Sequence, residues 1–547
     1  MPRRLALGLD SSTQGLTAVV ADIETRKVVY KKSLDYALDK RLNGFGITSD
    51  YILPPREEGE ANQPPMMYLA SLDAIFADMV GELPLKNLSL GDIAVINISA
   101  QQHGHVFLSN GAERLFAGLH QASHENLTQL LEGIFSVPFA RIWRTSCTGK
   151  EADFVRRAVG GKENLIRLSG SDAPLRFSAF GIRKTARELP DVYRATSVIH
   201  QISSLISAVL AGNARVPLDY GNACGTSLMD YRKREWSPTL LAAVADGLPG
   251  GAQWLLEKLP ALASGTTIVG TIASYFVNKY GFSSACKVGI GSGDNPQTKV
   301  LVSGSLLSLG SSFVIMVETD GATLDMEGNA NAMYDTLDRP FMFGCRTNGA
   351  LRWDGVRVNY GMGKREYARA EEALRNTPPG NKGRLFLWQT EKESFPISGA
   401  FDPARIGYTA GDLAADYAGI VESTLAAVYL HSRHFMTRGD SLYVTGGAAS
   451  SPEVLRRAAA IWNRAVIPVQ ETGAASGAAV SGAYALLKSE GKTPDAADFA
   501  ASYMRKRAPL KPLPADVAAY HDPAGYLTKY AEAEQTFLAR PSQRAKP

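Results

Sequence analysis

A mixed α/β fold in two similarly ordered halves is what this sequence predicts, and three observations carry the prediction. The same hairpin pattern is written twice, as Leu7-Gly-Leu-Asp-Ser-Ser-Thr-Gln-Gly-Leu-Thr-Ala-Val-Val20 and as Leu306-Leu-Ser-Leu-Gly-Ser-Ser-Phe-Val-Ile-Met-Val317. In each half strands come first and helices alternate with strands afterwards, the order of a mixed sheet. A chain of 547 residues is also too long for one hydrophobic core and divides.

Leu5–Leu9, Leu16–Asp22 and Val28–Ser33 are short apolar runs with charge gathered at Glu24 to Lys27, so they read as three successive strands. Gly44–Pro65 is polar, holds prolines and has no period, which predicts a loop. A helix is expected over Met66–Met79 and a strand over Ile93–Ser99, ending on Gln101-Gln-His-Gly104. In the second half, Lys287–Gly291 reads as a strand, Val300–Val317 as the second hairpin and Phe341–Cys345 as a strand, followed by a helix over Gly411–Arg433. Ser441-Leu-Tyr-Val-Thr-Gly-Gly-Ala448 is a strand opening on a glycine pair, with a helix over Glu453–Asn463 after it. Gly473–Leu487 is an Ala/Gly-rich helix whose small faces suit close packing. The boundary between halves is expected at Gly289–Gly293, giving 1–291 and 292–490. The remainder, 491–547, with Pro-rich Ala508–Pro514, reads as helical surface decoration.

Composition narrows the function classes. The chain is 45% apolar and 20% charged with a net charge of +4, the balance of an ordinary globular protein. No Lys/Arg block interleaved with aromatics tracks a nucleic-acid backbone, so no nucleic-acid partner is expected. Asp10 interrupts the N-terminus before an apolar leader could form, and Ser and Gly crowd the longest uncharged run, Val300–Val317, so neither a secretory leader nor a membrane span is expected. Cys147, Cys224, Cys286 and Cys345 are scattered without a CxxC pair, as reduced thiols of a cytoplasmic protein are.

The chemistry sits in the turns. Gly, Ser, Thr and Gln leave backbone N–H groups and hydroxyls to face an anion and let a phosphate approach the main chain, so two phosphate-facing hairpins are expected. Asp10, at the mouth of the first turn, would repel phosphate unless a cation lies between, which makes it a candidate Mg2+ ligand; the structural alternative is an Asx-turn cap. Asp294, in Gly291-Ser-Gly-Asp-Asn-Pro296, ends a strand beside two glycines and is a candidate base for a hydroxyl, or a turn residue before Pro296.

The ordered set Asp10-Ser-Ser-Thr-Gln-Gly15, Gln101-Gln-His-Gly104, Gly293-Asp-Asn-Pro296, Leu309-Gly-Ser-Ser312 and Thr445-Gly-Gly-Ala448 resembles the FGGY carbohydrate kinases, in particular eukaryotic-type xylulose kinases, over residues 5 to 490. Ile134-Phe-Ser-Val137 before Ile142-Trp143, Leu168-Ser-Gly-Ser171 with Arg176-Phe177, and Asp219-Tyr220 before Gly225 are similar as well. The resemblance implies two actin-like ATPase (ribonuclease H-like) domains with an interdomain cleft that closes on ATP and sugar. It implies Asp294 as catalytic base, with Gln102, His103, Arg176, Asp294 and Asn295 on the sugar. Ser12, Thr13, Gly310, Ser311 and Ser312 would face the triphosphate, Gly446 and Gly447 the adenosine, and Asp10 the Mg2+. Tyr367 occupies roughly the place where such enzymes offer an aromatic to adenine. ATP and Mg2+ are the implied cofactors, the compartment is the cytoplasm, and a homodimer is left open.

One departure concerns specificity. Xylulose kinases of this kind usually carry an acidic residue two positions after the tryptophan that aligns with Trp143, and Thr145 stands there. The expected activity is ATP-dependent phosphorylation of a ketose, D-xylulose to D-xylulose 5-phosphate first. A kinase for another pentulose or polyol, and a sugar-binding sensor without catalysis, are the alternatives.

Overall fold

The alternation along Leu5-Ala-Leu-Gly-Leu-Asp-Ser11 decides how the first sheet is covered. Strand β1 (Leu5–Ser11) points Leu5, Leu7 and Leu9 into one large core with Met67, Leu72, Ile75 and Phe76 of the helix Pro65–Glu82. On the opposite face Ala6 and Gly8 leave room for a backbone, and the helix Ala474–Ser489 takes it: a methyl on Gly8 would lie 2.0 Å from the carbonyl oxygen of Ala475. Large residues on one face and small ones on the other thus select two different partners.

In this computed structural model residues 3–121, 125–363, 366–437, 441–470 and 473–538 are described. They form two units, one within 3–301 with 332–340 and 473–504, the other within 302–331 with 341–470 and 505–538.

The sheet of the first unit runs β5 (Ile268–Thr271), β6 (Lys287–Gly289), β4 (Ile93–Ala100), β1, β2 (Gly15–Asp22), β3 (Lys27–Asp35). A two-residue strand, β7 (Ser292–Gly293), lies beside the end of β4. β1 pairs antiparallel with β2 and parallel with β4, and this register sets Asp10 opposite Ser99. β7 pairs Ser292 with the same Ser99, so the ends of β1, β4 and β7 converge. Asp294 follows at once, as the first residue of the helix Asp294–Lys299.

The second unit repeats the theme with β8 (Ser305–Leu309), β9 (Phe313–Glu318), β10 (Pro340–Arg346), β11 (Leu442–Thr445), β12 (Val466–Gln470) and β13 (Arg505–Lys506), in the order β10-β9-β8-β11-β12-β13. Its central helix, Leu413–Ser432, is long and apolar enough to meet a membrane-span criterion, yet 78% of that apolar window is buried in the protein.

The boundary expected at residue 291 falls ten residues early, and two later segments belong to the first unit. Residues 332–340 are held there by Tyr334, which stacks on Tyr231 (4.9 Å) and donates to its carbonyl, and by Asp338, which accepts from the Gly265 N–H. The helix Ala474–Ser489 returns to the first unit with its glycines in close backbone contact: a methyl on Gly477 would lie 1.7 Å from the carbonyl oxygen of Gln297. Ser481 ties the contact down, donating to Gln297 Oε1 (2.7 Å) and accepting from Asn97 Nδ2 (2.9 Å). The C-terminal segment is also not mere surface decoration. Lys506 pairs with Val469, Tyr520 and Tyr526 are buried, and Tyr526 shares a hydrogen bond with Ser423. Residues 539–547 lie outside the described residues.

Candidate active site

Asp294 stands at the N-terminus of its short helix, where its Oδ1 accepts from the Asn295 N–H (2.9 Å) and from Asn295 Nδ2 (3.1 Å). Burial, and then the field of the nearby Asp10 carboxylate, push its carboxyl up to about 7, against backbone N–H groups that pull it down. Asp10 is raised too, again by burial, while the Ser99 hydroxyl donates to its Oδ1 at 2.7 Å. A buried carboxyl poised near neutrality makes Asp294 a candidate general base.

His103 has a positive φ of 69°, a conformation paid for by its surroundings. Its Nδ1 lies 2.9 Å from the carbonyl oxygen of Gly225, so Nδ1 carries the proton and donates. Burial and the neighbouring Arg176 charge push its pKa down to about 3, so the ring is neutral and Nε2 is an acceptor. Phe177 stacks on the imidazole at 4.4 Å. Gly225 must be glycine here, because a methyl would meet His103 Nδ1 at 2.6 Å.

Gln102 is buried and engaged at both ends: Nε2 donates to the Gly221 carbonyl (3.1 Å) and Oε1 accepts from Asn295 Nδ2 (3.2 Å). It holds Asn295 in place. In the first hairpin the hydroxyls expected to face phosphate are also engaged. Ser12 donates to the Gly15 carbonyl from both N–H and hydroxyl, and the Thr13 hydroxyl accepts from Trp143 Nε1 (2.8 Å) and donates to Gln101 Oε1 (3.2 Å). Side chains thus shape this turn.

The second unit holds a cavity of about 680 Å3 lined by Gly310, Ser311, Trp353, Tyr367, Glu371 and Gly447 among others. Ser312 is not among its lining residues. The two glycines of Thr445-Gly-Gly-Ala448 differ. Gly446 has a φ of +93° and a methyl on it would lie 2.5 Å from the Leu309 carbonyl oxygen, so it packs against β8 and does not line the cavity. Gly447 does line it, and a methyl there would meet nothing within 4 Å. Tyr367 is 60% exposed, with the Arg357 guanidinium 4.4 Å from its ring centre. At the helix Pro452–Trp462 the terminal N–H groups are capped: Ser451 accepts from Val454, and Glu371 accepts from the Ser451 hydroxyl and the Glu453 N–H (2.9 Å). A carboxylate already fills that helix end.

The residues 138–300 match the model of the N-terminal domain of the FGGY family of carbohydrate kinases. A probable D-xylulose kinase A from Aspergillus fumigatus is 30% identical over 531 residues, covering 89% of this chain and 90% of that protein. The chain belongs to the FGGY family of carbohydrate kinases. Xylulose kinase 2 of Arabidopsis thaliana is 29% identical over 514 residues, covering 89% of this chain and 88% of the relative. Among solved structures, a xylulose kinase from Lactobacillus acidophilus aligns over 98% of this chain and 99% of its own with a TM-score of 0.78 at 18% identity, which shows the shared fold of two actin-like domains.

Within that FGGY fold the reading from sequence missed several residues that shape the site. Ser99 and Ser292, one on Asp10 and one before Asp294, carry no signal of their own, since isolated serines at strand ends are common. Trp143 stands out in the sequence only as part of a motif, and its bond to Thr13 joins residues 130 positions apart. Thr145 differs from expectation. It is buried, and its hydroxyl donates to the Ala61 carbonyl at 2.8 Å, so it braces a turn. A carboxylate there would face that carbonyl oxygen. Thr145→Asp is therefore expected to lower stability by about 1–3 kcal/mol and leave the relative kcat/KM values for different sugars unchanged; thermal melts and a sugar panel check both halves of the statement.

Proposed function

We propose that this FGGY kinase transfers the γ-phosphoryl group of ATP to a ketose, with D-xylulose as the first candidate because the relatives that span the chain carry that name. The observation that supports catalysis most directly is Asp294, a carboxyl pushed up to about 7 at the head of a helix. In this reading Asp294 Oδ2 takes the proton of the attacking hydroxyl, Asn295 and the Nε2 of neutral His103 bind neighbouring hydroxyls, and Arg176 lies close enough to His103 to contribute its charge. An ATP-consuming kinase of a free sugar fits the cytoplasm.

Mg2+ fits the donor set. Among the described residues no group of three or more His, Cys, Asp or Glu forms a closed metal cage, and Mg2+ in phosphoryl transfer is typically held by one or two carboxylates with phosphate oxygens completing the shell. Asp10 is the residue that would hold it. When bound, it neutralises charge on the phosphates.

The cavity of the second unit takes the nucleotide, phosphates toward Gly310 and Ser311, the adenosine against Gly447 and the base toward Tyr367. Gly447→Val fills open space in the cavity and is expected to raise KM for ATP at least about tenfold with little change in melting temperature. Gly446→Ala, strained by φ and by the Leu309 carbonyl, is expected to lower the melting temperature instead. Steady-state kinetics and thermal melts on the two variants separate these effects. Release of ADP across a panel of ketoses and polyols tests the sugar: turnover highest with D-xylulose supports the proposal, a polyol optimum replaces the substrate, and no release with any sugar replaces catalysis by sensing.

A further inference from the structure

Asp219-Tyr220 is a motif whose role the proposed reaction leaves open, and its surroundings are unusual. The Asp219 carboxylate is buried and accepts three hydrogen bonds: from the Ser292 hydroxyl, from Asn222 Nδ2 (2.7 Å) and from the Asn222 N–H (3.3 Å). It thereby caps the short helix Tyr220–Cys224. Gly221, the second residue of that helix, presents its carbonyl to Gln102 Nε2, and Gln102 Oε1 holds Asn295. Ser292 lies two residues before Asp294 and Asn295 one residue after it. Two hydrogen-bonded arms thus leave the Asp219 cap and end on either side of Asp294, closing a ring.

The ring is packed without slack. A methyl on Gly221 would meet Asp219 Oδ2 at 2.7 Å and Ser292 Oγ at 2.9 Å, and a methyl on Gly293 would meet Gln102 Cγ at 2.8 Å. Asn222 Nδ2 also donates to Ser203 Oγ at 2.9 Å, which anchors the ring to the helix Ile202–Ala211.

We propose that Asp219 is a positioning residue for phosphoryl transfer: through Ser292 on one side and Gly221, Gln102 and Asn295 on the other, it fixes the rotamer and placement of Asp294. The inference rests on Asp294 being the base. Asn at position 219 cannot serve in its place, because its NH2 group would replace one carboxylate oxygen and face either Asn222 Nδ2 or the Asn222 N–H, donor against donor. Exchanging the two residues restores the pattern: in Asp219→Asn with Asn222→Asp, the new amide donates to the new carboxylate and its oxygen still accepts from Ser292.

The test measures kcat and KM with D-xylulose and ATP for the wild type, Ser292→Ala, Asp219→Asn, the exchanged pair and Asp294→Asn, each normalised to its folded fraction. Expected are a fall in kcat of about 10- to 100-fold for Asp219→Asn and about tenfold for Ser292→Ala, as displacement of a reacting group by a fraction of an ångström to an ångström produces. KM for ATP stays constant and the exchanged pair recovers most of the loss. Wild-type kcat in Ser292→Ala, or a loss in Asp219→Asn that the exchange does not repair, overturns the positioning role. Should Asp219→Asn fail to fold, Ser292→Ala decides alone. Near-normal turnover in Asp294→Asn overturns the base assignment instead, and the two failures are thereby told apart.

Discussion

Asp294→Asn is expected to lower turnover by roughly a hundredfold or more, the range typical of a lost general base, while KM for ATP is unchanged because the cavity proposed for the nucleotide is lined by residues of the second unit. The same substitution is expected to stabilise the protein. The Asp294 carboxyl is raised from its ordinary 3.8 to about 7 by burial and by Asp10, so the folded state binds its proton more tightly than the unfolded state does. Folding is favoured most below pH 4, where both states are protonated, and the ionised carboxylate weakens it progressively as pH rises toward 7. Asparagine carries no such charge. Its melting temperature should exceed that of the wild type at pH 8 and the advantage should shrink as pH falls to 4. Activity runs the opposite way: kcat/KM for the sugar should fall roughly tenfold per pH unit below about 7 as the base is protonated. A pH-independent difference in melting temperature, or a kcat/KM that is flat from pH 8 to 5, would remove Asp294 from this role.

Gly477→Val carries the largest expected cost in stability. A Cβ at this position would sit 1.7 Å from the Gln297 carbonyl oxygen, a backbone atom of the helix that begins at Asp294, so relief requires one helix to move. Overpacking against flexible side chains costs about 1–3 kcal/mol, and backbone contact lies at or beyond the top of that range. The loss should register as a fall in the melting temperature of the first unit of roughly 5 °C or more. Separation also parts Ser481 from Gln297 and Asn97, leaving buried polar groups without partners. Gly473→Ala, at the cap of the same helix where a methyl meets nothing within 4 Å, is the control and should melt within a degree or two of the wild type. Equal melting temperatures for the two variants would show that the close approach is not what holds the helix.

Local pattern made the strands of both hairpins legible, since period-two alternation and small-residue turns are properties of a few consecutive residues. Leu16–Asp22 was expected and Gly15–Asp22 is found; the helix expected over Glu453–Asn463 is Pro452–Trp462. Asp10 and Asp294 were legible as candidates for the same reason, each ending a strand at a glycine-rich turn. What could not be read was any relation between distant segments. That Gly473–Leu487 needs close packing follows from its composition, but that its partner is β1 and the Asp294 helix depends on Gly8 and Gln297, which are distant in the sequence. The burial of Thr145 and its bond to the Ala61 carbonyl could not be read either, because a position in an aligned pattern does not say which way a side chain points. Gly446 and Gly447 were read as a pair, although one avoids a carbonyl and the other leaves a cavity open.

The discontinuity of the first unit sets an order of events during synthesis. The face of β1 that carries Ala6 and Gly8, and the strands beside it, leave the ribosome early, but the helix that covers them ends at Ser489. At about 5–20 residues per second, roughly 10–40 seconds pass between the emergence of Leu301 and that of the covering helix. During that interval the second unit has most of its own strands at hand and the first does not have its last helix. The N-terminal sheet is therefore completed after much of the chain downstream of it. Nascent chains stalled short of residue 474 would present this sheet bare on one side, a surface for chaperones to cover and proteases to find.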